Sequence, residues 1–126
     1  MFSVLFILAL PLLTISGVPG ARAAGGFAAT CSGFFVRDNH YLQAHCGDGR
    51  GGYKDSTIDL NLCIANYNSH LVCAHNGGYG GSCSACGIRT GTYMTCSCRG
   101  TPQGSYLIAD LNECVANLGG NLACAV

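Results

Sequence analysis

The chain has 126 residues, including 10 cysteines and 19 glycines, no tryptophan, and six basic against six acidic side chains. This length suits one small domain, or two very small units that share a core. The balanced charge provides no basic stripe to grip phosphates, so nucleic acid is not an expected partner.

The N-terminal segment, residues 1–23, is predicted to be a signal peptide. Its apolar stretch VLFILALPLLTI (residues 4–15) is shorter than the roughly 20 residues of a membrane span, and ARA (residues 21–23) supplies the small residues of a cleavage site. A buried core segment is the alternative interpretation. Cleavage leaves one domain, residues 24–126, with five basic and six acidic side chains and no second apolar run of membrane length. We therefore expect a soluble, secreted, extracellular protein without a membrane span.

The chain contains an internal tandem duplication. DLNLCIAN (residues 59–66) and DLNECVAN (residues 110–117) share six of eight letters at an offset of 51 positions, and the match continues to Cys73 and Cys124. Upstream, Cys31 and Cys46 of repeat one fall on Cys83 and Cys98 of repeat two at an offset of 52. Repeat one covers about 25–75 and repeat two about 79–126. Because each unit alone buries little apolar surface, the repeats must share a core.

The ten cysteines favour a disulfide framework, since their number is even and the chain is predicted to be exported. The simplest pairing that treats both repeats alike joins Cys31 to Cys46, Cys63 to Cys73, Cys83 to Cys98, Cys114 to Cys124 and, as the remaining pair, Cys86 to Cys96. The last pair would staple a hairpin that turns near RTGT (residues 89–92). A zinc site built from CSAC and CSC is the competing interpretation. An oxidising compartment disfavours it, and no metal or other cofactor is expected.

The segments between the cysteines predict β-hairpins. GFFVRDNHYLQAHC and SACGIRTGTYMTCSC combine aromatic and β-branched residues with turn signals. YNSH and LGGN place Asn68–Ser69 and Gly119–Gly120 at hairpin tips. Each DLN phrase predicts one helical turn, with Asp59 or Asp110 as its N-cap and the next leucine in the core. The expected class is all-β with a few short helical turns.

GGYKDSTIDLNLCIANYNSHL and IADLNECVANLGGNL resemble the repeats of the cyanovirin-N homology family, and the resemblance covers about residues 27–126. The extra cystines and the predicted export resemble fungal members. The resemblance implies a pseudo-symmetric fold in which each half is a three-stranded sheet plus a β-hairpin packed on the other half. It also implies a non-catalytic lectin that binds mannose-rich or related cell-wall glycans, with one site per half. The implied state is a monomer, or a domain-swapped dimer hinged at HNGGYGG (residues 75–81).

The resemblance, carried over position by position, implies two carbohydrate sites. The first comprises Asn66, Asn68, Asn76, Ser82, Arg99, Thr101 and Gln103. The second comprises Thr30, Gly47, Asp48, Gly49, Arg50, Asn117 and Gly119. The second departs from the family pattern, because its glycines replace side chains that contact sugar in relatives, and one of them replaces an acidic residue. Cys73 and Cys124 are further departures, since the family carries aromatic residues there.

Several of these residues also have a structural interpretation. Asn66 and Asn117 recur in both repeats, so each fits a backbone-satisfying role as well as a sugar contact. Four of the six tyrosines, at positions 53, 67, 79 and 106, are expected to pack rather than to stack on sugar. The four histidines, at positions 40, 45, 70 and 75, are expected to be solvated rather than to cluster around a metal.

Two other functional classes are open to the sequence. A secreted structural or effector-type protein would keep the fold, lose the sugar sites and bind a protein partner, and the glycines of the second site motivate it. An enzyme could use carboxylates from Asp48, Asp55 or Glu113. It is not expected, because every cysteine is assigned to a disulfide and no Ser-His-Asp arrangement can be assigned. A hydrophobin is excluded because adjacent Cys-Cys pairs are missing from the sequence.

Overall fold

The computed structural model describes residues 25–126, and the predicted signal peptide lies outside this range. The expectation of an all-β fold with short helical turns is confirmed. The strands are β1 (Cys31–Arg37), β2 (Tyr41–Gly47), β3 (Tyr53–Asp59), β4 (Ile64–Tyr67), β5 (His70–Cys73), β6 (Cys83–Thr90), β7 (Tyr93–Cys98), β8 (Leu107–Asp110), β9 (Val115–Leu118) and β10 (Asn121–Cys124). One helical turn, α1 (Leu111–Cys114), and 3₁₀ turns at Phe27–Ala29, Leu60–Leu62 and Tyr79–Gly81 connect them. Within the described range, every helix is too short to cross a bilayer.

The strands form two antiparallel three-stranded sheets and two separate hairpins. β1–β2–β3 is the sheet of repeat one, and β6–β7–β8 is the sheet of repeat two. The hairpin β4–β5 of repeat one contacts β8, whereas the hairpin β9–β10 of repeat two contacts β2 and β3. Each hairpin therefore packs on the other half, as expected.

The repeated DLN phrases form capped turns, also as predicted. The side-chain Oδ1 of each aspartate accepts a hydrogen bond from the backbone N–H two residues later, at 2.9 Å for Asp59 and 3.0 Å for Asp110. This acceptor satisfies one of the free donors at the start of the turn. The following leucines, Leu60 and Leu111, are fully buried in the shared core.

The asparagine of each phrase joins the two halves. Asn61 Oδ1 accepts the N–H of Gly80 at 2.8 Å, and Asn112 Oδ1 accepts the N–H of Ala28 at 3.0 Å. Both donors lie in the 3₁₀ turn that precedes the first strand of the neighbouring repeat. The phrase is repeated because each copy fastens the start of the opposite repeat.

The tyrosines divide between the core and the surface. Tyr79 is fully buried and donates its hydroxyl to the Asn39 carbonyl at 2.8 Å, so its predicted packing role is confirmed. For the other three the packing prediction is wrong, since Tyr53, Tyr67 and Tyr106 are 66%, 58% and 49% exposed. Tyr53 begins β3, Tyr67 ends β4, and Tyr106 lies in the loop just before β8, so all three stand at the ends of strands.

Three of the five predicted disulfides are confirmed and two are wrong. The confirmed bridges are Cys31–Cys46, Cys83–Cys98 and Cys86–Cys96. The predicted local bridges Cys63–Cys73 and Cys114–Cys124 are replaced by Cys63–Cys124 and Cys73–Cys114. All ten cysteines are paired.

The strand register explains the two errors. Cys73 lies opposite Ile64 in the hairpin β4–β5, not opposite Cys63, and Cys124 likewise lies opposite Val115. Cys63 and Cys114 lie at the ends of the helical turns before β4 and β9, so neither is the cross-strand partner of the cysteine that ends its own hairpin. The exchanged pairing brings the Cα atoms to 5.1 Å and 5.2 Å, within the usual range for a disulfide. Both bridges therefore fasten one repeat to the other.

Candidate functional site

The first candidate site is an open polar depression at the end of the repeat-two sheet. Its volume is about 400 Å³, and it is lined by Gly81, Ser82, Cys83, Ser84, Ser97, Cys98 and Arg99. Of the seven residues predicted for the first site, Ser82 and Arg99 lie in this lining. Ser84 and Ser97 were missed by the sequence reasoning, although each stands next to a cysteine of the bridge Cys83–Cys98. Their alternation with the buried cysteines could have revealed them as outward-facing.

Asn66 reaches the edge of this depression from the other repeat. Its side-chain amide donates to Ser82 Oγ at 3.0 Å, and the same nitrogen lies 3.7 Å from the Cys83 sulfur. Its Oδ1 atom is buried and has no hydrogen-bond partner among residues 25–126. A buried amide oxygen without a partner is costly, and such a group calls for a specific explanation.

The loop after β7 borders the depression on the other side. Arg99 donates its backbone N–H to the Ser82 carbonyl at 2.8 Å and its guanidinium to the Gly81 carbonyl at 3.3 Å. The Thr101 hydroxyl bonds to the Cys98 carbonyl, which ties Thr101 to its own turn. A side chain at Gly100 would meet Ser69 Oγ at 3.5 Å, so this loop lies beside the tip of the hairpin β4–β5.

The remaining predicted residues lie at the margin or away from the depression. Asn68 occupies the exposed hairpin tip with a φ of 52°. Asn76 is exposed, and its backbone N–H bonds the Leu62 carbonyl at 2.9 Å. Gln103 is exposed in the loop before β8. None of these three lines the depression. Of the residues predicted for the first site, the structure therefore brings Asn66, Ser82 and Arg99 together there.

The second candidate site repeats this geometry at the opposite repeat. Asn117 donates to Thr30 Oγ1 at 2.9 Å, just as Asn66 donates to the hydroxyl of Ser82. Its amide also bonds the Gly47 carbonyl at 2.9 Å, and its Oδ1 accepts the Gly120 N–H at 2.8 Å. Every polar atom of the Asn117 side chain is therefore engaged inside the protein.

The loop between β2 and β3 encloses the second depression. Its volume is about 340 Å³, and Asp48, Arg50, Lys54 and Gly119 line it. Asp48 Oδ1 accepts the N–H of Arg50 at 2.7 Å and of Gly52 at 3.0 Å, which closes the loop. These bonds, in that order, hold the pKa of the Asp48 carboxyl below its ordinary value of 3.8. Three of the seven residues predicted for the second site, Asp48, Arg50 and Gly119, line this depression. Asn117 is bonded to Thr30 and Gly47, and Gly49 lies within the loop.

Lys54 is the lining residue of the second site that the sequence reasoning missed. It lies on β3, where it pairs with Cys46 of β2, and its stem crosses the tip of the hairpin β9–β10 at Gly120. This contact joins residues of different repeats that are far apart in the chain. The only sequence signal is its position at the start of the strand that follows the GDGRGG loop.

The histidines pair with carboxylates or stand alone. His40 Nδ1 lies 2.7 Å from Asp59 Oδ1, and His45 Nδ1 lies 2.9 Å from Asp55 Oδ1. Over residues 25–126, no three His, Cys, Asp or Glu side chains gather as metal ligands. The two depressions offer hydroxyl, amide, guanidinium and ammonium groups, which suit a ligand rich in hydrogen-bonding groups.

Comparison with solved structures confirms the fold. The structure of GzCVNH from Gibberella zeae superposes with a TM-score of 0.67 at 25% identity, over 81% of this chain and 99% of that one. TbCVNH from T. borchii superposes with a TM-score of 0.65 at 23% identity, over 79% of this chain and 98% of that one. A MoCVNH3 variant in complex with (N-GlcNAc)4 superposes with a TM-score of 0.69 at 19% identity, over 80% of this chain and 97% of that one.

Comparison at the sequence level identifies the family. No curated protein matches the chain. The model of the CVNH domain matches residues 27–123, which span both repeats and both candidate sites. The chain belongs to the CVNH family.

Proposed function

We propose that the protein is a carbohydrate-binding lectin whose principal site is the depression beside Asn66. One observation carries the proposal: the buried Asn66 Oδ1 has no partner in the described structure, although the matching atom of Asn117 is bonded. A sugar hydroxyl both donates and accepts hydrogen bonds, so it suits the serine hydroxyls and the Arg99 guanidinium beside Asn66. Membership of the CVNH family supports this function.

The ligand class follows from the polar lining and from the relatives. Serine hydroxyls and the Arg99 guanidinium border an open depression of about 400 Å³, which admits an extended saccharide from solvent. A MoCVNH3 variant with the same fold was solved with (N-GlcNAc)4. We infer that the chain binds mannose-rich or related cell-wall glycans, including oligomers of N-acetylglucosamine.

The proposed activity is binding without catalysis. Among the carboxylates considered for hydrolysis, Asp48 holds its own loop closed and Asp55 pairs with His45. Glu113 lies on α1 and is exposed. These contacts support structural or surface roles for the three side chains.

We further propose that the protein is secreted. The predicted signal peptide and the framework of five disulfides both favour an oxidising, extracellular location. A monomer is the simplest state. A swapped dimer would have to form Cys63–Cys124 and Cys73–Cys114 between chains, so it would be covalent.

A glycan array tests the function. The purified domain, residues 24–126, should bind mannose-rich or N-acetylglucosamine oligosaccharides, and the triple variant Asn66→Ala, Ser82→Ala, Arg99→Ala should lose that binding. Arg37→Gln is the matched control, because Arg37 pairs with Asp38 outside both depressions. No binding by the native domain, or equal binding by the triple variant, would contradict the proposal.

The alternative is an exported structural or effector-type protein that binds a protein partner. The internal satisfaction of Asn117 favours it at the second site, since no polar atom of that side chain is left for a sugar. A partner captured equally well in the presence of competing mannose and N-acetylglucosamine oligomers, together with an empty glycan array, would establish this alternative.

A further inference from the structure

We propose that the second depression binds the carboxylate of an acidic sugar, such as a uronic acid unit, whereas the first binds neutral sugars. The proposal rests on the carbohydrate-binding function proposed above and names the ligand class at its second site. The two depressions differ in the number of cations that line them. The first is lined by serines and one arginine, but the second is lined by Arg50, Lys54 and the single carboxylate of Asp48.

The two cations of the second depression are available to a ligand. The ion pairs in the described part of the chain involve Arg37, His40 and His45, and neither Arg50 nor Lys54 takes part in one. Arg50 and Lys54 are both exposed. A carboxylate placed between them would gain charge-assisted hydrogen bonds, and a guanidinium can grip both of its oxygens.

Asp48 offsets only one of these two positive charges. Its Oδ1 atom is held by two backbone N–H groups of its own loop, which fixes the side chain. The depression therefore keeps one net positive charge in a domain whose residues 25–126 carry five basic and six acidic side chains. A positive depression on such a surface selects among ligands by the sign of their charge.

Lys54 is held over the depression by a glycine of the opposite repeat. A Cβ atom at Gly120 would lie 3.1 Å from Lys54 Cε and 3.3 Å from Lys54 Cγ, so the missing side chain makes room for the lysine stem. The φ of 98° at Gly120 also favours glycine. The packed stem keeps the ammonium near the loop instead of leaving it to swing freely.

The other half of the molecule lacks this arrangement. In repeat one the hairpin tip carries Ser69 where repeat two has Gly120, and Ser105 of repeat two stands where repeat one has Lys54. The pseudo-symmetric fold thus presents two ends of related shape, one lined by a single cation and the other by a pair of cations. Two ends with different ligands would let one domain bridge a neutral and an acidic glycan.

The test uses trigalacturonic acid and its methyl-esterified form, which differ in charge but share a sugar backbone. In NMR titrations of the domain, we expect the acid to shift the amides of Gly49 and Gly119 and to bind at least fivefold more tightly than the ester. Added salt should weaken the binding of the acid but not that of the ester, because salt screens the interactions between charges. Lys54→Gln and Arg50→Gln should each lower the affinity severalfold, and the charge-matched control Arg37→Gln should not.

The outcomes separate this proposal from the proposed function. One outcome is that neutral oligosaccharides shift the amide resonances of the first depression, while the acid shifts none at the second. This outcome would overturn the acidic-sugar proposal and leave the lectin function standing. Equal affinities for the acid and the ester would also overturn it, as would equal losses of affinity for the acid in Arg37→Gln and Lys54→Gln. A response of Gly49 and Gly119 to the acid that Lys54→Gln removes would support it, even if the first depression binds no neutral sugar.

Discussion

Asn66 donates its side-chain amide to Ser82 Oγ at 3.0 Å, and this bond joins repeat one to repeat two at the first depression. Asn117 makes the equivalent bond in the other half, to Thr30 Oγ1. The two asparagines differ in their oxygen atoms, since Asn117 Oδ1 accepts the Gly120 N–H while Asn66 Oδ1 is buried without a partner within residues 25–126. Asn117 therefore serves the fold, and Asn66 keeps an acceptor that supports a role in binding.

This difference predicts unequal effects on stability. Asn117→Ala removes three hydrogen bonds, each worth about 0.5–1.5 kcal/mol net, so the free energy of unfolding should fall by about 2–3 kcal/mol. Asn66→Ala removes the bond to Ser82 but also the unpaired oxygen, so it should cost about 1 kcal/mol or less. Guanidinium chloride unfolding of both variants measures the difference. A larger loss in Asn66→Ala than in Asn117→Ala would contradict this assignment.

The bridges between the repeats predict a second stability contrast. Cys63–Cys124 joins residues 61 positions apart, so the variant Cys63→Ser, Cys124→Ser should lose roughly 2–4 kcal/mol of unfolding free energy. The control Cys86→Ser, Cys96→Ser opens a bridge of 10 residues inside the loop already closed by Cys83–Cys98, and it should lose less. Peptide mapping without reductant should recover the linked 63/124 and 73/114 fragments. Recovery of 63/73 and 114/124 fragments would refute the exchanged pairing.

The repeat carried most of the fold prediction. Because DLN recurs with a capping aspartate and an apolar residue after it, the helical turns at Asp59 and Asp110 followed from local chemistry alone. The exchanged disulfides did not follow. Both the local and the exchanged pairing treat the two repeats alike, and only the register that places Cys73 opposite Ile64 distinguishes them.

The candidate site was less predictable for the same reason. Asn66, Ser82 and Arg99 were reachable through the family resemblance, but the unpaired state of Asn66 Oδ1 depends on atoms of both halves. The position of Lys54 over the second depression depends on Gly120 at the tip of a hairpin from the other repeat. Contacts of this kind are set by tertiary packing and leave no local signature in the sequence.

Tyr79 predicts a loss of stability in alkaline solution. Burial, followed by the nearby Asp59 carboxylate, raises the pKa of Tyr79 well above its ordinary value of 10.0. The folded state thus prefers the neutral phenol, and this contribution is full below pH 10 and declines as the pH rises further. An absorbance titration at 295 nm should show one tyrosine step that coincides with unfolding, and Tyr79→Phe should remove it. Ionisation of Tyr79 near pH 10 in the folded protein would contradict the prediction.

Asp48 predicts a change of the second depression in acid. The N–H groups of Arg50 and Gly52 lower the pKa of its carboxyl below 3.8, so the carboxylate stabilises the folded loop above that pH. The contribution is lost as the pH falls through the lowered pKa, because protonation weakens both acceptor bonds. NMR should show the amide of Gly52 following the Asp48 carboxyl at a midpoint below 3.8. In Asp48→Asn that pH dependence should disappear, and a midpoint at or above 3.8 in the native domain would be inconsistent with the observed bonds.

The central claim is that a sugar binds at the depression beside Asn66. The most direct measurement is an NMR titration of the ¹⁵N-labelled domain with (GlcNAc)4 and, separately, with mannotriose. We expect at least one of these sugars to shift the amides of Ser82, Ser84, Ser97 and Arg99, and we expect Asn66→Ala, whose other resonances should stay in place, to lose the response. Absence of any shift at these amides with both sugars, or the same shifts in Asn66→Ala, would contradict the claim.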